Sequence, residues 1–420
     1  MSSQTRGDQG RPRRKRKTPV PPGPPEPVNP YIKSYTPREL AHWKTLRVSE
    51  QLDIIETEGA AARQQGAVPM RFRILSKGFE PAVCRRLLAI CEILSKTPMN
   101  ENLKRREYME TVLSVPLKTY VSPFSDQPSA EVMARMNASL DRAVYGHSDT
   151  KRAIMRVVAQ WLRHPEAKGM SILLCGPPGT AKSSIVHEGV SKALGMPYSF
   201  VGLGGANGAS SLTGFEYCYT GSDVGEIARS LIRNGSMSQV YLMDEVDKVS
   251  DSERGEEIIS TLVHLTDETS NARFRDKYLG DIDLDMSRSL FFFTCNDASR
   301  ISPILLDRMV RIDVAPYSAA DKAKIAERHL LPDAFKAFGL DGAPEAALIS
   351  APDYIRRAVA LTCAEKGVRG LKRALRATCS EVNLRKMLDA KVKITASDLD
   401  DILRKETSPA SDAPPNMMYN

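Results

Sequence analysis

The sequence predicts an α/β protein: a three-layer sandwich around a mostly parallel sheet, preceded by a helical segment and followed by an all-helical lid. Two observations lead to this prediction. Short apolar runs at 171–175, 240–243 and 290–294, with a shorter candidate strand at 311–314, alternate with helical patterns, as in parallel sheets that are covered by helices on both faces. From residue 318 to about 388 the pattern becomes wholly helical, which is typical of a separate helical domain.

Composition and charge narrow the class of protein. The chain has 420 residues, 42% of them apolar and 26% charged, which is ordinary for a folded globular protein. The net charge is +8, but residues 1–30 hold seven basic and two acidic groups, so that segment carries +5 and the rest only +3. A nearly neutral body is not typical of a basic nucleic-acid-binding domain. Seven cysteines without a C-x-x-C pair predict neither a zinc site nor a disulfide framework.

The sequence divides into five segments by composition and pattern. The basic run at 13–17 is either a nuclear-import signal, a tether to anionic surfaces or part of a solubilising tail. We therefore expect an intracellular protein, cytoplasmic or nuclear, without a membrane partner. The alternation at 70–75 favours a short strand or an extended entry. The segments are 1–67, a disordered basic and proline-rich tail and linker; 68–145, a helical N-terminal segment; 146–317, the α/β core; 318–404, the helical lid; and 405–420, a disordered tail.

A phosphate-binding loop is predicted between the first strand and the helix that follows it. Backbone N–H groups of such a loop and the helix N-terminus form a cradle for phosphates. Lys182 would add a cation, and the Ser183 hydroxyl would be a ligand for Mg²⁺. Ala181 stands where glycine is usual, and alanine disfavours a positive φ. The predicted cofactors are ATP and Mg²⁺. The cofactor-binding candidates in the loop are Gly176, Pro177, Pro178, Gly179, Thr180, Ala181, Lys182 and Ser183.

Five further side chains fit the chemistry of phosphate hydrolysis. Asp244 and Glu245 end the second strand, where Asp244 would orient the metal and Glu245 would polarise the attacking water. Asn296 ends the third strand and would hold that water, although an isolated asparagine there is more often a turn residue. Arg308 would reach the γ-phosphate of a neighbouring subunit, although a single arginine on a helix is usually a solvated charge. Arg369 begins a lid helix and would reach back to the nucleotide.

These features, in this order, resemble the AAA+ ATPases, and several stretches resemble the ATPase module of the Lon protease family. The resemblance implies an ATP-hydrolysing, hexameric motor that acts on protein substrates, with Tyr145 at the nucleotide. The Ser-Lys peptidase motif of that family has no counterpart here, so we expect no peptidase activity from this chain, and a peptidase or adaptor would act in trans. The stretches are 145–146, 241–248, 269–279, 305–309 and 367–371.

The resemblance also implies a substrate-gripping pore loop at 213–221. Tyr219 matches the aromatic residue of that loop, whereas Thr220 replaces the usual aliphatic partner. An aromatic ring in a narrow channel can press against any polypeptide backbone without sequence preference. The alternative is a buried aromatic cluster of Phe215, Tyr217 and Tyr219.

Two other functions stay open at this stage. The loop 179–183 also resembles that of minichromosome-maintenance helicases, and the basic tail would suit DNA, so an alternative is a motor or loader that acts on nucleic acid. A scaffold that binds ATP but hydrolyses it poorly is the other alternative. The complete set of candidate groups argues against such a scaffold, and the near-neutral body makes nucleic acid the less favoured partner.

Overall fold

The computed structural model describes residues 29–30, 32, 35–64, 68–98, 102–121, 129–163, 170–206, 208–219, 221–389 and 392–407. The basic run at 13–17, Thr220 and the predicted tail from 408 onward lie outside the described residues. Contacts divide the chain into two compact units, residues 1–73 and residues 74–420. None of the helices in the described ranges is long and apolar enough to cross a membrane.

The first unit contains α1 (Pro37–Trp43) and α2 (Val48–Gln64), and α3 (Met70–Ser76) crosses its boundary. The prediction of a strand or extended segment at 70–75 is wrong. The N–H groups of Phe72 and Arg73 both donate to the carbonyl of Pro69, so the chain closes into helical turns there. A short apolar run does not distinguish a strand from a helix by its period alone.

Four further helices lie between α3 and the sheet; three of them fall within the segment 68–145 and the fourth falls within the predicted core. The helices are α4 (Pro81–Lys96), α5 (Leu103–Ser114), α6 (Ser129–Ala143) and α7 (Ser148–Arg163). α6 and α7 bury Met136, Leu140, Ile154 and Val158 in the same apolar cluster as the first strand of the sheet. These two helices therefore belong to the core that supports the strand ends.

The α/β core is built on a five-stranded parallel sheet, which confirms the predicted fold class. The strands are β1 (Ser171–Cys175), β2 (Tyr198–Gly202), β3 (Val240–Asp244), β4 (Phe274–Arg275), β5 (Asp283–Leu284), β6 (Leu290–Cys295) and β7 (Val310–Asp313). The order in the five-stranded sheet is β2-β3-β6-β1-β7, so β1 and β6 lie in its interior, and both are buried along their whole length. The other two strands, β4 and β5, form a short antiparallel hairpin.

Helices cover the sheet, and the one after β1 is unusual. It begins as α8 (Lys182–Ser184), continues as a π-helical segment (Ile185–Ser191) and ends as α9 (Lys192–Leu194). The other helices of the core are α10 (Ser210–Thr213), α11 (Glu226–Asn234), α12 (Glu253–Thr266) and α13 (Pro303–Leu306), with 3-10 turns at Val246–Lys248, Asn271–Arg273 and Ala298–Arg300.

The lid is entirely helical, as predicted, and has its own apolar core. That core includes Leu331, Leu371 and Leu375, and the hydroxyls of Tyr354 and Thr378 form a hydrogen bond of 2.7 Å inside it. The lid helices are α14 (Ala319–Ile325), a π-helical segment (Ala326–Leu330), α15 (Leu331–Phe338), α16 (Pro344–Ile349), α17 (Pro352–Leu361), α18 (Arg369–Leu388) and α19 (Ala396–Thr407).

Candidate active site

The loop between β1 and α8 lies at the edge of the sheet where the parallel strands end. Gly176 leaves β1 with its N–H donating to the carbonyl of Cys295, 3.2 Å away. A Cβ atom on Gly176 would collide with the carbonyl of Val314. A glycine is therefore required for the close approach of the loop to its neighbours, as the predicted phosphate cradle needs.

Ala181 adopts a left-handed backbone conformation that glycine usually provides at this position of the loop. Its φ is 64° and its ψ is 25°, in the left-handed region. That conformation costs a residue with a Cβ roughly 1–2 kcal/mol. Thr180, one residue earlier, is buried, and its hydroxyl donates to the carbonyl of Pro177 at 2.8 Å. The loop thus keeps a glycine-like turn although alanine occupies the position.

Lys182 is buried at the centre of the site. Its ammonium donates to the carbonyls of Gly176 at 2.5 Å and Pro177 at 3.0 Å, and to Oδ1 of Asn296 at 3.1 Å. Burial lowers the pKa of Lys182, and neighbouring Asp244 partly opposes this shift. The structure therefore brings together the predicted phosphate-binding cation and the predicted water-holding amide. Ser183 lies beside Lys182 in the first turn of α8, with an exposed side chain.

Thr294 of β6 joins the carboxylate of Asp244, which ends β3, to the backbone of Glu245, the next residue. The hydroxyl of Thr294 donates to Asp244, and the backbone N–H of Glu245 donates to the same hydroxyl at 3.2 Å. Glu245 has a φ of 62°, which turns the chain sharply after the strand. Its carboxylate pairs with the ammonium of Lys248. Lys248 pairs with Oε1 of Glu245, and a carboxylate has a second oxygen that can accept a hydrogen bond from a water molecule.

Asp247 is a functional candidate that the sequence analysis did not single out. Its Oδ2 accepts the backbone N–H groups of Asn296 at 2.9 Å and Asp297 at 3.1 Å. Its Oδ1 is buried and has no hydrogen-bond partner among the described residues. Asp247 therefore fixes the backbone that presents Asn296. The available signal was its place three residues after Asp244, within a stretch noted only for its resemblance.

The predicted arginines differ in their relation to the loop. Arg308 forms an ion pair of 2.7 Å with Asp267, which follows α12, rather than a bond to the loop. Arg369 begins α18, and its backbone lies beside Gly179, where a Cβ would come within 3.1 Å of the Arg369 nitrogen. The N–H of Val368 donates to the carbonyl of Gly179 at 3.0 Å. The lid therefore touches the phosphate loop through its backbone.

Tyr145 lies near the lid rather than in direct hydrogen-bond contact with the loop. Its ring is 5.8 Å from the ammonium of Lys324 and 5.9 Å from the guanidinium carbon of Arg328. Its predicted role at the nucleotide stays a prediction.

A cavity of about 560 Å³ adjoins the loop at Gly176, within the usual volume of a small-ligand site. His147, Val314 and Tyr317 line it, and the rings of His147 and Tyr317 are 4.5 Å apart. Burial lowers the pKa of His147, so its imidazole is held neutral near pH 7. No local sequence pattern indicates this cavity, because its walls come from distant parts of the chain.

Tyr219 is exposed, with 63% of its surface accessible, on a loop between α10 and α11. Phe215 and Tyr217 of the same loop are 56% and 39% exposed. The alternative of a buried aromatic cluster is therefore wrong. An exposed ring on the core of a nucleotide-binding domain is available to contact a second molecule.

The residues present fit ATP and Mg²⁺. The glycine loop leaves room that a Cβ would fill, Lys182 supplies a buried cation, and Ser183 and Asp244 offer the hard oxygen ligands that Mg²⁺ prefers. Within the described ranges, no three His, Cys, Asp or Glu side chains cluster as a metal site of their own. Magnesium held by one or two protein oxygens and by phosphates needs no such cluster.

This fold and site define a P-loop ATPase. Residues 172–317 match the family model described as the ATPase family associated with various cellular activities (AAA), so the chain carries an AAA ATPase domain and is an ATP hydrolase by class.

The AAA domain is related to that of the Lon proteases, which confirms the resemblance. The chain is 36% identical over 257 residues to a Lon protease homolog of Acanthamoeba polyphaga mimivirus, covering 61% of this chain and 25% of that protein. It is 32% identical over 333 residues to the mitochondrial Lon protease homolog of Homo sapiens, and this match covers 78% of this chain and 33% of that protein. It is 33% identical over 305 residues to the Lon protease of Acinetobacter baumannii, covering 71% and 36%. The chain thus spans between a quarter and just over a third of these relatives.

Proposed function

We propose that this chain is a Lon-type motor that couples ATP hydrolysis to the unfolding or remodelling of protein substrates as a homo-hexamer. The observation that supports this most is the exposed ring of Tyr219 on the same core as the phosphate loop. We assign no peptidase step to the residues of this chain, so cleavage would require a peptidase in trans, and an adaptor could deliver the substrate.

In this proposal the phosphate loop binds ATP through its backbone N–H groups and Lys182. Ser183 and Asp244 would hold Mg²⁺. When bound, MgATP supplies the phosphoanhydride bond that is hydrolysed. Lys182 already faces this position, because its ammonium bonds to loop carbonyls and to Asn296. A phosphate there would replace contacts to neutral carbonyls with a contact between opposite charges.

Glu245 would act as the group that orients the attacking water. Its Oε1 is paired with Lys248, its other oxygen would accept from that water, and Thr294 keeps its backbone fixed. Asn296 would hold the water from the other side, on a backbone that Asp247 fixes. Placing a water between two such groups contributes through orientation and proton acceptance.

Arg308 would act across a subunit interface. In the single chain its guanidinium is paired with Asp267 at 2.7 Å, so it is already held in one orientation. A neighbouring γ-phosphate would attract the same guanidinium, since charge in phosphoryl transfer is spread over three oxygens. Arg369, at the start of α18, would sense the phosphates through its position beside Gly179.

The test of the ATPase half uses Lys182→Ala and Glu245→Gln. Lys182→Ala should lose ATP binding, whereas Glu245→Gln should bind ATP and lose turnover by about 10²-fold or more. Glu245→Gln should also hold ATP and client protein together in a pull-down. Normal turnover in both variants would contradict the assignment.

The test of the threading half uses Tyr219→Ala and a tagged folded reporter protein. The variant should unfold the reporter about two- to twelvefold more slowly, because one aromatic contact is worth roughly 0.5–1.5 kcal/mol. Phe200→Ala is the matched control, since Phe200 is also an exposed aromatic residue (51%) but lies on β2. If Tyr219→Ala unfolds the reporter as fast as the wild type, the threading role is wrong.

Two further measurements distinguish the remaining alternatives. Mass photometry in the presence of ATP should show hexamers, and a monomer alone at working concentration would contradict the ring. ATP turnover that DNA stimulates, with a steep loss on adding salt, would favour the nucleic-acid motor instead.

A further inference from the structure

The loop that carries Tyr219 is held in place from outside. We call residues 214–219 and 221–225 the Tyr219 loop; it connects α10 to α11. An exposed loop of this length is usually more mobile than the helices that it connects. Here three side chains from other elements contact it at separate points: Asp276, which follows β4, and Lys104 and Tyr108 of α5.

Asp276 closes the base of the loop. The two ends of the loop approach so closely that a Cβ on Gly214 would lie 2.7 Å from the nitrogen of Gly225 and 3.1 Å from Oδ1 of Asp276. Oδ2 of Asp276 accepts the N–H of Gly225 at 2.8 Å, and Oδ1 accepts the N–H of Tyr278 at 2.9 Å. The N–H of Lys277 donates to the carbonyl of Thr213 at 2.7 Å.

Lys104 holds the tip of the loop. Its ammonium donates to the carbonyl of Tyr219 at 2.5 Å and to the carbonyl of Cys218 at 3.3 Å. The hydroxyl of Ser222 donates to the same Tyr219 carbonyl at 2.9 Å. The backbone of Tyr219 is therefore fixed from two sides while its ring stays exposed.

Tyr108 joins the side of the loop to the turn that contains Asp276. Its ring is buried and stacks on the ring of Tyr217, with centroids 4.5 Å apart and an angle of 29°. The same ring lies 5.8 Å from that of Tyr278, and its hydroxyl donates to the carbonyl of Leu279 at 3.4 Å. One aromatic side chain thus ties α5, the loop and the turn together.

We propose that Lys104, Tyr108 and Asp276 are positioning residues that hold Tyr219 in the orientation with which it grips polypeptide. This inference rests on the proposed threading function. It makes the helical segment before the ATPase core a working part of the grip, because two of the three contacts come from α5. Gripping force then passes from the Tyr219 backbone through Lys104 to a helix, and not only along the loop.

The first experiment measures loop order directly and does not depend on threading. A nitroxide is attached to Cys218, the exposed cysteine next to Tyr219. The other cysteines that are exposed or half-buried are replaced by serine, and these are Cys84, Cys91 and Cys363. In the full chain with intact Lys104, the electron paramagnetic resonance spectrum should show restricted motion.

Lys104→Met should narrow the nitroxide lines, because it removes the donor to the two loop carbonyls. Arg105→Met is the matched control: Arg105 is the adjacent cation of α5 and donates to Asn102, the residue just before that helix. Lys104→Arg keeps a cationic donor and should largely retain the restricted spectrum. Equal spectra for wild type, Lys104→Met and Asp276→Asn would overturn the proposal.

The second experiment measures ATP consumed per reporter molecule unfolded. Lys104→Met and Tyr108→Leu should raise this ratio about fivefold, the effect commonly produced by loss of one intramolecular hydrogen bond, while Arg105→Met should not change it. Suppose that Tyr219→Ala slows unfolding and that Lys104→Met makes the loop mobile. If Lys104→Met then consumes the same amount of ATP per unfolded reporter as the wild type, the proposal is overturned. If Tyr219→Ala has no effect, the threading function is wrong, and a nitroxide that stays restricted in all variants would overturn the positioning roles as well.

Discussion

Replacing Asp276 by asparagine should change how stability depends on pH. Burial raises the pKa of Asp276 from 3.8 to about 6, although the backbone N–H groups of Gly225, Tyr278 and Leu279 favour its ionised form; Asp223 adds to the increase. Asparagine has the same shape and no titrating group. It lacks one of the two acceptor oxygens at every pH, so the pH-dependent part of its difference from wild type reports the protonation of this one carboxyl group.

The sign follows from the direction of the pKa shift. The folded state binds this proton more tightly than the unfolded chain does. The stabilisation is thus fully present below about pH 4 and is lost as the pH rises through about 6. A shift of about two units corresponds to about 3 kcal/mol. Relative to Asp276→Asn, the free energy of unfolding of the wild type should fall by about 3 kcal/mol between about pH 4 and about pH 7.

Urea unfolding of both proteins at a series of pH values measures this difference, with the fluorescence of buried Trp161 as a signal. Subtracting the free energy of unfolding of the variant from that of the wild type at each pH cancels the contributions of the other titrating groups. Asp267→Asn is the control, because Thr269 first and Arg308 second lower the pKa of Asp267 to about 2, outside the pH range of the experiment. The difference in free energy of unfolding between Asp267→Asn and the wild type should not change with pH across this range.

Two results would refute the reasoning about Asp276. A flat difference would mean that its pKa is the same in the folded and unfolded chains. A wild type that gains stability relative to Asp276→Asn as the pH rises would mean that the three N–H donors outweigh burial.

Three other substitutions test the candidate site. Gly176→Ala should weaken binding of a fluorescent ATP analogue by more than about tenfold, because overpacking displaces the loop from the Val314 carbonyl; unchanged affinity would show that the close approach is not needed. Ala181→Gly should raise the free energy of unfolding by up to about 1 kcal/mol, since glycine adopts the left-handed conformation without strain; a loss of stability in thermal denaturation would contradict this. Thr294→Val should lower ATP turnover by about tenfold, because the hydroxyl that joins Asp244 to the backbone of Glu245 is lost; steady-state kinetics equal to wild type would remove Thr294 from the site.

The sheet was predictable where its strands are buried on both faces. β1, β3 and β6 are continuous apolar runs, and the sequence analysis located all three within one residue at each end. β2 was missed because it is an edge strand whose side chains alternate: Ser199 and Val201 are buried, whereas Phe200 is exposed. β7 was predicted one residue too late, at 311–314 rather than Val310–Asp313.

Within the site, predictability depended on whether the partners share a sheet edge. The approach of Lys182 to Asn296 follows from the rule that parallel strands end at a common edge. The pairing of Arg308 with Asp267 joins residues 41 positions apart, and the bond from Gly225 to Asp276 joins residues 51 apart. Such contacts arise from tertiary packing and leave no local pattern in the sequence.

The contact between the lid turn and the phosphate loop brings two backbones together. The N–H of Val368 meets the carbonyl of Gly179, and Gly367 packs so tightly on Pro178 that a Cβ there would collide with its carbonyl. Val368 also packs its side chain against the apolar core, so the contact has an apolar part, but a single methyl group at Gly367 would force the two backbones apart. The close approach of the lid to the phosphate loop therefore depends on Gly179 and Gly367. A saturation mutagenesis screen should find that substitutions at these two positions are tolerated least.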